Sequence, residues 1–376
     1  MKKKRRTIRL QNVLTGAVAL LAAAGAAVCI ARGVAAGRTF AQTCLLLALC
    51  CAALALAAAL QIALHEVGHL VFGLLSGYRF SSLRIGSLML VREEGGLRLR
   101  RLCVAGTGGQ CLMTPPALRD GRMPVVLFNL GGALMNLLTA GAFFALSFAA
   151  REPVRALLRL PAIVGAAFAL LNGVPLRTDA LSNDGENARA LHGDREAIRA
   201  FWVQLMVSGR MARGERLRDM PQDWFAVPDD AGMQNGMTAA LGVFACNRLM
   251  DLHDFEEADG LMARMLRMGG GIAGLHRMML RCDRLYVALI TPGREDDART
   301  MCTQGLEVFM DAMKDFPSVL RTQYVRALLM QRDEAEAARL RAQFERCARR
   351  YPYAGDIASE RELMEIADRC AQPSTL

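Results

Sequence analysis

Aromatic side chains make up 6% of this 376-residue chain, and histidine occurs five times. No basic stretch alternates with aromatics, so a net charge of +10 does not point to nucleic acid as a partner. Eleven cysteines include no CxxC pair, and Cys44, Cys50 and Cys51 sit inside an apolar run. An odd count without paired spacing argues against a disulfide framework or a thiolate zinc site and for reduced thiols. Charge is missing altogether from FAQTCLLLALCCAALALAAALQIAL, residues 40–64. With 53% hydrophobic residues, the composition fits a membrane part joined to a soluble part better than either alone.

Four segments are long and apolar enough to span a bilayer: 13–31, a stretch within 40–76, 125–150 and 154–176. The first follows MKKKRRTIRLQ and exceeds a signal-peptide core in length, so a retained anchor is expected. Lysines and arginines crowd residues 2–9, and Arg79, Arg84, Arg92, Arg98, Arg100, Arg101, Arg119 and Arg122 lie between the second and third spans. The other two connections hold few. Because basic loops stay on the cytoplasmic side, both termini and residues 77–124 are expected there, in a multi-pass protein of the cell membrane.

Near the end of the apolar run stands LHEVGHL, residues 64–70. Ionisable groups in such a setting are costly unless they have partners, which makes them candidates for function. His65 and His69 are four apart and therefore share a helix face. Two imidazoles at that spacing can hold one zinc ion, and Glu66 can serve as general base toward the attacking water. A third ligand is needed. After the fourth span, LLNGVPLRTDALSNDGENARAL (170–191) returns to the same depth with Asp179 and Asp184 as available carboxylates. Asn172 and Pro175 would end the helix at the membrane edge, and Gly185 allows the chain to turn back. A turn or cap aspartate is the plainer alternative for either carboxylate.

HEVGH on an apolar helix, FNLGGALMN on the next span and LNGVP followed by NDG after the last resemble the site-2 protease family of intramembrane zinc metalloproteases (peptidase family M50). The resemblance covers roughly residues 40–190. It implies Zn²⁺ held by His65, His69 and Asp184, with Glu66 as base. It also implies that Asn136, which ends the small-residue motif, supports the site, as do Asn172 and Pro175. Gly131 and Gly132 would let helices approach closely. The implied activity is cleavage of a membrane-anchored protein substrate within or near the lipid bilayer. The alternative is a catalytically inactive membrane adaptor.

Residues 83–91 are rich in strand formers, EEGG (93–96) is a turn, and LRLRRLCV (97–104) alternates apolar with basic, so a β-hairpin is expected at about 83–104. The resemblance implies that a sheet edge here pairs with an unwound substrate. Residues 106–116 are turn-rich. Beyond 190, charge is dense and helical periodicity resumes at 237–266, where helix, turn and helix resemble a tetratricopeptide unit with Ala258 at the crossing. His192, His253 and His276 have no ligand-spaced partner. The expected fold is mainly α: residues 1–39 as basic segment and anchor, 40–190 as a multi-span membrane helical core, and 191–236 as a linker. Residues 237–376 are expected as a cytoplasmic all-α, helical-hairpin domain that binds a protein partner.

Overall fold

The computed structural model describes residues 23–25, 39–93, 95–102, 108–176, 182–268 and 271–372. The expected first span, 13–31, lies outside the described residues except for 23–25. The chain is mainly helical with one small four-stranded sheet. Three helices are long and apolar enough to cross a membrane: α1 (Phe40–Leu75), α2 (Val126–Ala149) and α3 (Val154–Gly173). Two compact units form, one of Met1–Arg79, Gly108–Cys111 and Met123–Asp194, the other of Phe80–Thr107, Leu112–Arg122 and Arg195–Leu376.

In the first unit, α1 begins with a reciprocal cap: Thr39 Oγ1 accepts from the Gln42 N–H, and the Gln42 side chain accepts from the Thr39 N–H. It runs 36 residues, about 54 Å. Gly77, at φ +84°, turns the chain where a side chain would be strained. Tyr78 then stacks on Phe128 at 4.6 Å and donates to the Pro124 carbonyl at 2.6 Å, tying the end of α1 to the start of α2. Lower down, Gly68 and Gly131 let the two backbones touch, since a β-carbon on either would collide with the other's carbonyl. Leu56, Leu138 and Phe148 stand 71%, 62% and 66% exposed on these helices, a surface suited to hydrocarbon rather than water. After α3 the chain turns into α4 (Asp184–Leu191).

The second unit differs from expectation in four ways. Residues 83–91 are not one strand: a turn at Gly86, φ +59°, divides them into β1 (Arg79–Ile85) and β2 (Leu88–Glu93), which pair antiparallel. The hairpin of β2 with β3 (Gly96–Arg101) forms in register Glu93↔Gly96, and the turn-rich 106–116 stretch contains a fourth strand, β4 (Gly109–Thr114). The strand order is β3-β2-β1-β4. Rather than with the long apolar helices α1, α2 and α3, the sheet groups with the C-terminal helices. Met89, Val91 and Leu102 pack into their apolar core, and the Arg101 N–H donates to the Arg350 carbonyl.

The stretch expected as a linker, 191–236, is folded. Helix α5 (Arg195–Met211) and short helical turns bury Val203, Val207, Trp224 and Phe225 against Leu241 and Ala245. Its prolines and glycines punctuate 3₁₀ turns rather than mark an extended connection. Beyond it run α6 (Gly236–Leu252), α7 (Phe255–Met268), α8 (Gly274–Ile290), α9 (Glu295–Met301), α10 (Gln304–Ala312), α11 (Pro317–Val325), α12 (Glu334–Ala348) and α13 (Ala354–Ala371). The helix–turn–helix expected at 237–266 is α6 and α7, with His253 in the left-handed turn and Ala258 fully buried.

The glycine contact gives a test. Gly141 meets nothing within 4 Å, whereas Gly68 faces the α2 backbone. Gly141→Ala is expected to leave stability unchanged or raise it by up to about 1 kcal/mol through helix propensity. Gly68→Val is expected to lower the thermal midpoint of the full chain in detergent, because the helices must separate. Equal midpoints for the two variants would remove the close crossing.

Candidate metal centre

His65, Glu66 and His69 lie on the last third of α1, all in the first unit together with Asp184. The i, i+4 spacing puts both imidazoles on one face, and their Nε2 atoms are 3.2 Å apart. Asp184 Oδ2 lies 3.0 Å from His65 Nε2 and 3.4 Å from His69 Nε2. These three residues form the metal-competent cluster among the described residues.

The other ring nitrogens settle which atoms carry protons. His69 Nδ1 lies 2.8 Å from the Phe128 carbonyl, which can only accept, so Nδ1 is the N–H. Asn136 donates its amide N–H to the Gln61 backbone carbonyl at 2.8 Å and to Gln61 Oε1 at 2.7 Å. Its own oxygen, 2.7 Å from His65 Nδ1, therefore accepts from that ring. In the neutral rings both Nε2 lone pairs then point at each other and at a carboxylate oxygen. Asp184 Oδ2 is buried and receives no hydrogen bond.

In that neutral form three acceptors converge with no proton between them, an arrangement that a cation would satisfy. Zinc bonds of about 2.0–2.2 Å in a tetrahedral arrangement put ligand atoms about 3.3 Å apart, and the observed separations of 3.0, 3.2 and 3.4 Å bracket that value. The donor set, two imidazoles and one carboxylate, is one that could hold zinc with a position left open.

Asp184 is delivered by its neighbour. Asn183 caps α4, its oxygen accepting from the Glu186 N–H at 2.9 Å and from the Leu176 N–H at 3.0 Å. Its amide donates to the Leu171 and Val174 carbonyls, both at 2.6 Å, which staples the new helix to the end of α3. A β-carbon at Gly185 would collide with the Gly173 carbonyl, so that position must be glycine for the approach to close. Asp184 thus sits in the first turn of α4, where the helix dipole favours a carboxylate. The other candidate, Asp179, lies outside the described residues.

Of the expected supporting residues, Asn136 is brought to the site and two are not. The Asn172 amide donates to the Phe168 carbonyl one turn back on its own helix at 3.0 Å, which ends α3 locally. Pro175 is exposed in the turn after α3. Gly132 has a more specific role than general packing, because a β-carbon there would overlap the His65 ring. Glu66 is 7% exposed and is flanked by Gly109 at the start of β4, where a β-carbon would overlap its carboxylate.

Sequence reasoning missed Gln61 and Asn183. Gln61 is fully buried in the apolar helix. Its Nε2 donates to the Pro161 carbonyl of α3 at 2.9 Å, its carbonyl groups receive Asn136, and Gly165 leaves room for its amide. A glutamine one turn before HExxH, in a stretch otherwise apolar from Cys44 to Leu64, was the available signal. For Asn183 it was the pattern Asn-x-x-Glu, a helix-capping spacing.

Gln61→Leu and Asn136→Leu are each expected to weaken zinc affinity about 10- to 100-fold by releasing the His65 ring, as loss of outer partners does at zinc sites. Competition with a chelator would read this, and unchanged affinity in both would remove the positioning role. No protein-family model, curated protein or solved structure matches this chain.

Proposed function

We propose that the chain is an intramembrane zinc metalloendopeptidase of the site-2 protease type, which cleaves a membrane-anchored protein within or near the bilayer. The observation that carries this reading is the convergence of His65 Nε2, His69 Nε2 and Asp184 Oδ2 on one point among apolar helices. A zinc ion held there would supply a Lewis acid. Its would-be ligands are His65, His69 and Asp184.

The chain's own groups account for the remaining requirements. The Phe128 carbonyl and the Asn136 amide oxygen hold the two imidazole N–H groups and so keep both Nε2 lone pairs directed inward. Glu66 follows His65 directly and is the base: it takes the proton of the attacking water and returns it to the departing amine. Its burial keeps bulk water away and strengthens its interaction with a nearby proton. Beside it, β4 lies at an edge of the sheet, and an edge strand offers backbone groups to an extended peptide. A helical substrate has its backbone groups satisfied internally and must unwind before an amide can be attacked.

The orientation proposed from the arginines and lysines has both termini and residues 77–124 in the cytoplasm. We read the helices from α6 to α13 as a helical-hairpin, tetratricopeptide-like domain for a protein partner, supported by the helix–turn–helix of α6 and α7.

Purified full chain is expected to hold one zinc per molecule. Asp184→Ala should lose most of it. Glu66→Gln should keep the metal while hydrolysis of a membrane-anchored reporter falls at least about 10²-fold, the usual scale for a general base. Full hydrolysis by Glu66→Gln would sink the mechanism, and a zinc-free chain would leave the adaptor reading in its place. Cysteine labelling at Gly95 and Gln372 is expected to report the cytoplasmic side for both. An external Gly95 would reverse the orientation.

A further inference from the structure

In the second unit, α6, α8, α11 and α13 enclose a cavity of about 340 Å³. That is within the lower range of small-ligand sites, about 300–1,000 Å³. Phe244, Met279 and Phe316 give it apolar walls. Its charged lining is unbalanced: Asp251, Asp283, Asp356 and Glu360 face one arginine, Arg321. His276 also lines it, but burial lowers its basicity and keeps it neutral.

The hydrogen bonds show which carboxylates are already satisfied. Asp251 accepts from the Arg216 guanidinium and from the Arg218 N–H at 3.0 Å. Asp283 accepts from Arg321, whose guanidinium also stacks on Tyr286 at 4.4 Å. Glu360 Oε2 lies 2.8 Å from Arg321 Nε, off the line of the N–H, and this buried oxygen accepts no hydrogen bond. Asp356 has neither a donor nor a cation in reach among the described residues. The charges that act on it are those of Glu360 and Asp251, both negative. Burial, then those like charges, push its carboxyl up to about 8, and burial pushes Glu360 to about 7. Asp356 and Glu360 are one turn apart on α13 and share a face.

Two half-buried carboxylates beside a single arginine are unfavourable in their ionised form, and a bound cation would supply the charge that holds both ionised. We propose that this cavity is a receptor site for a small organic cation, an ammonium or guanidinium on an apolar stem. The charged head sits between Asp356 and Glu360, and the stem lies along Phe244, Met279 and Phe316. A guanidinium would offer paired N–H donors to each carboxylate, the strongest form of such contacts. The inference stands apart from the zinc site and is read by binding rather than by proteolysis.

The test is calorimetry and thermal unfolding on the full chain in detergent, with Nα-acetyl-L-arginine amide, Nα-acetyl-L-lysine amide and butylammonium as probes. Nα-acetyl-L-citrulline amide, whose blocked α-amino group leaves it uncharged, is the neutral control of matching shape. At least one cation is expected to bind with a Kd below about 1 mM and to raise the unfolding midpoint, while citrulline amide binds at least about tenfold more weakly. Asp356→Asn and Glu360→Gln should each weaken that binding at least about tenfold, as loss of a charged partner does, whereas Asp311→Asn, an exposed carboxylate outside the cavity, should not. Measured above pH 8, where the Asp356 carboxyl is ionised, Asp356→Asn should also raise the midpoint of the ligand-free protein, because a charge without a partner has been removed. Absence of binding by all three cations, equal binding of citrulline amide, or retention of affinity in both cavity variants would each show a water-filled cavity only.

Discussion

A glutamine amide and an asparagine amide buried among apolar helices cannot be left without partners, because in that setting an unmade hydrogen bond costs several kcal/mol, roughly the worth of a helix contact. Gln61 resolves this by reaching all three helices. Its side chain donates to the Pro161 carbonyl of α3 and accepts from Asn136 of α2, and its own backbone carbonyl takes the second Asn136 contact. With both Asn136 donors so occupied, the asparagine oxygen has one role left, to accept from His65. The bond that joins the bundle is thus also the bond that orients a candidate metal ligand. Loosening it would be felt in packing and in the site alike.

The glycines serve the same constraint. Gly68 and Gly131 bring α1 against α2, Gly132 makes room for the His65 ring, and Gly165 admits the Gln61 amide. Without a hydrophobic drive between helices in lipid, close backbone approach and satisfied polar groups have to supply the association. Asp184 arrives by a different device, an asparagine cap that fastens α4 to the end of α3 through four hydrogen bonds. Two of the three candidate ligands are therefore fixed by helix geometry and one by a turn. The turn is the part most sensitive to substitution at a distance from the ligands.

The second unit is built around a buried apolar core. Its helices bury Met262, Met265, Leu280, Leu285 and Phe344 completely, and one face of the sheet contributes Met89 and Val91 to the same core. Within it, Arg321 is 1% exposed and holds Asp283 and Glu360. Buried ion pairs of this kind add little net stability, since desolvation offsets their attraction. Their presence beside a cavity with a further carboxylate lacking a partner fits recognition better than structural support.

The sequence by itself determined the apolar helices, the shared face of His65 and His69, and the helix–turn–helix of α6 and α7. Each follows from local periodicity, which depends on residues a few positions apart. It also limited the third ligand to the carboxylates after α3. The tertiary structure decided what depends on distant partners. It gave Asn136 its role through a glutamine 75 positions away, and it brought Asp184 to the histidines while leaving Asn172 and Pro175 out. It bent 83–91 into two strands, made a strand of a glycine-rich stretch, and folded 191–236 into the core. Turn residues and short polar runs carry weak periodic signal, so their conformation is set by whichever long-range contacts satisfy their backbone groups. The cavity is the extreme case: its lining comes from helices far apart in the sequence and the turns between them, and no local pattern marks it.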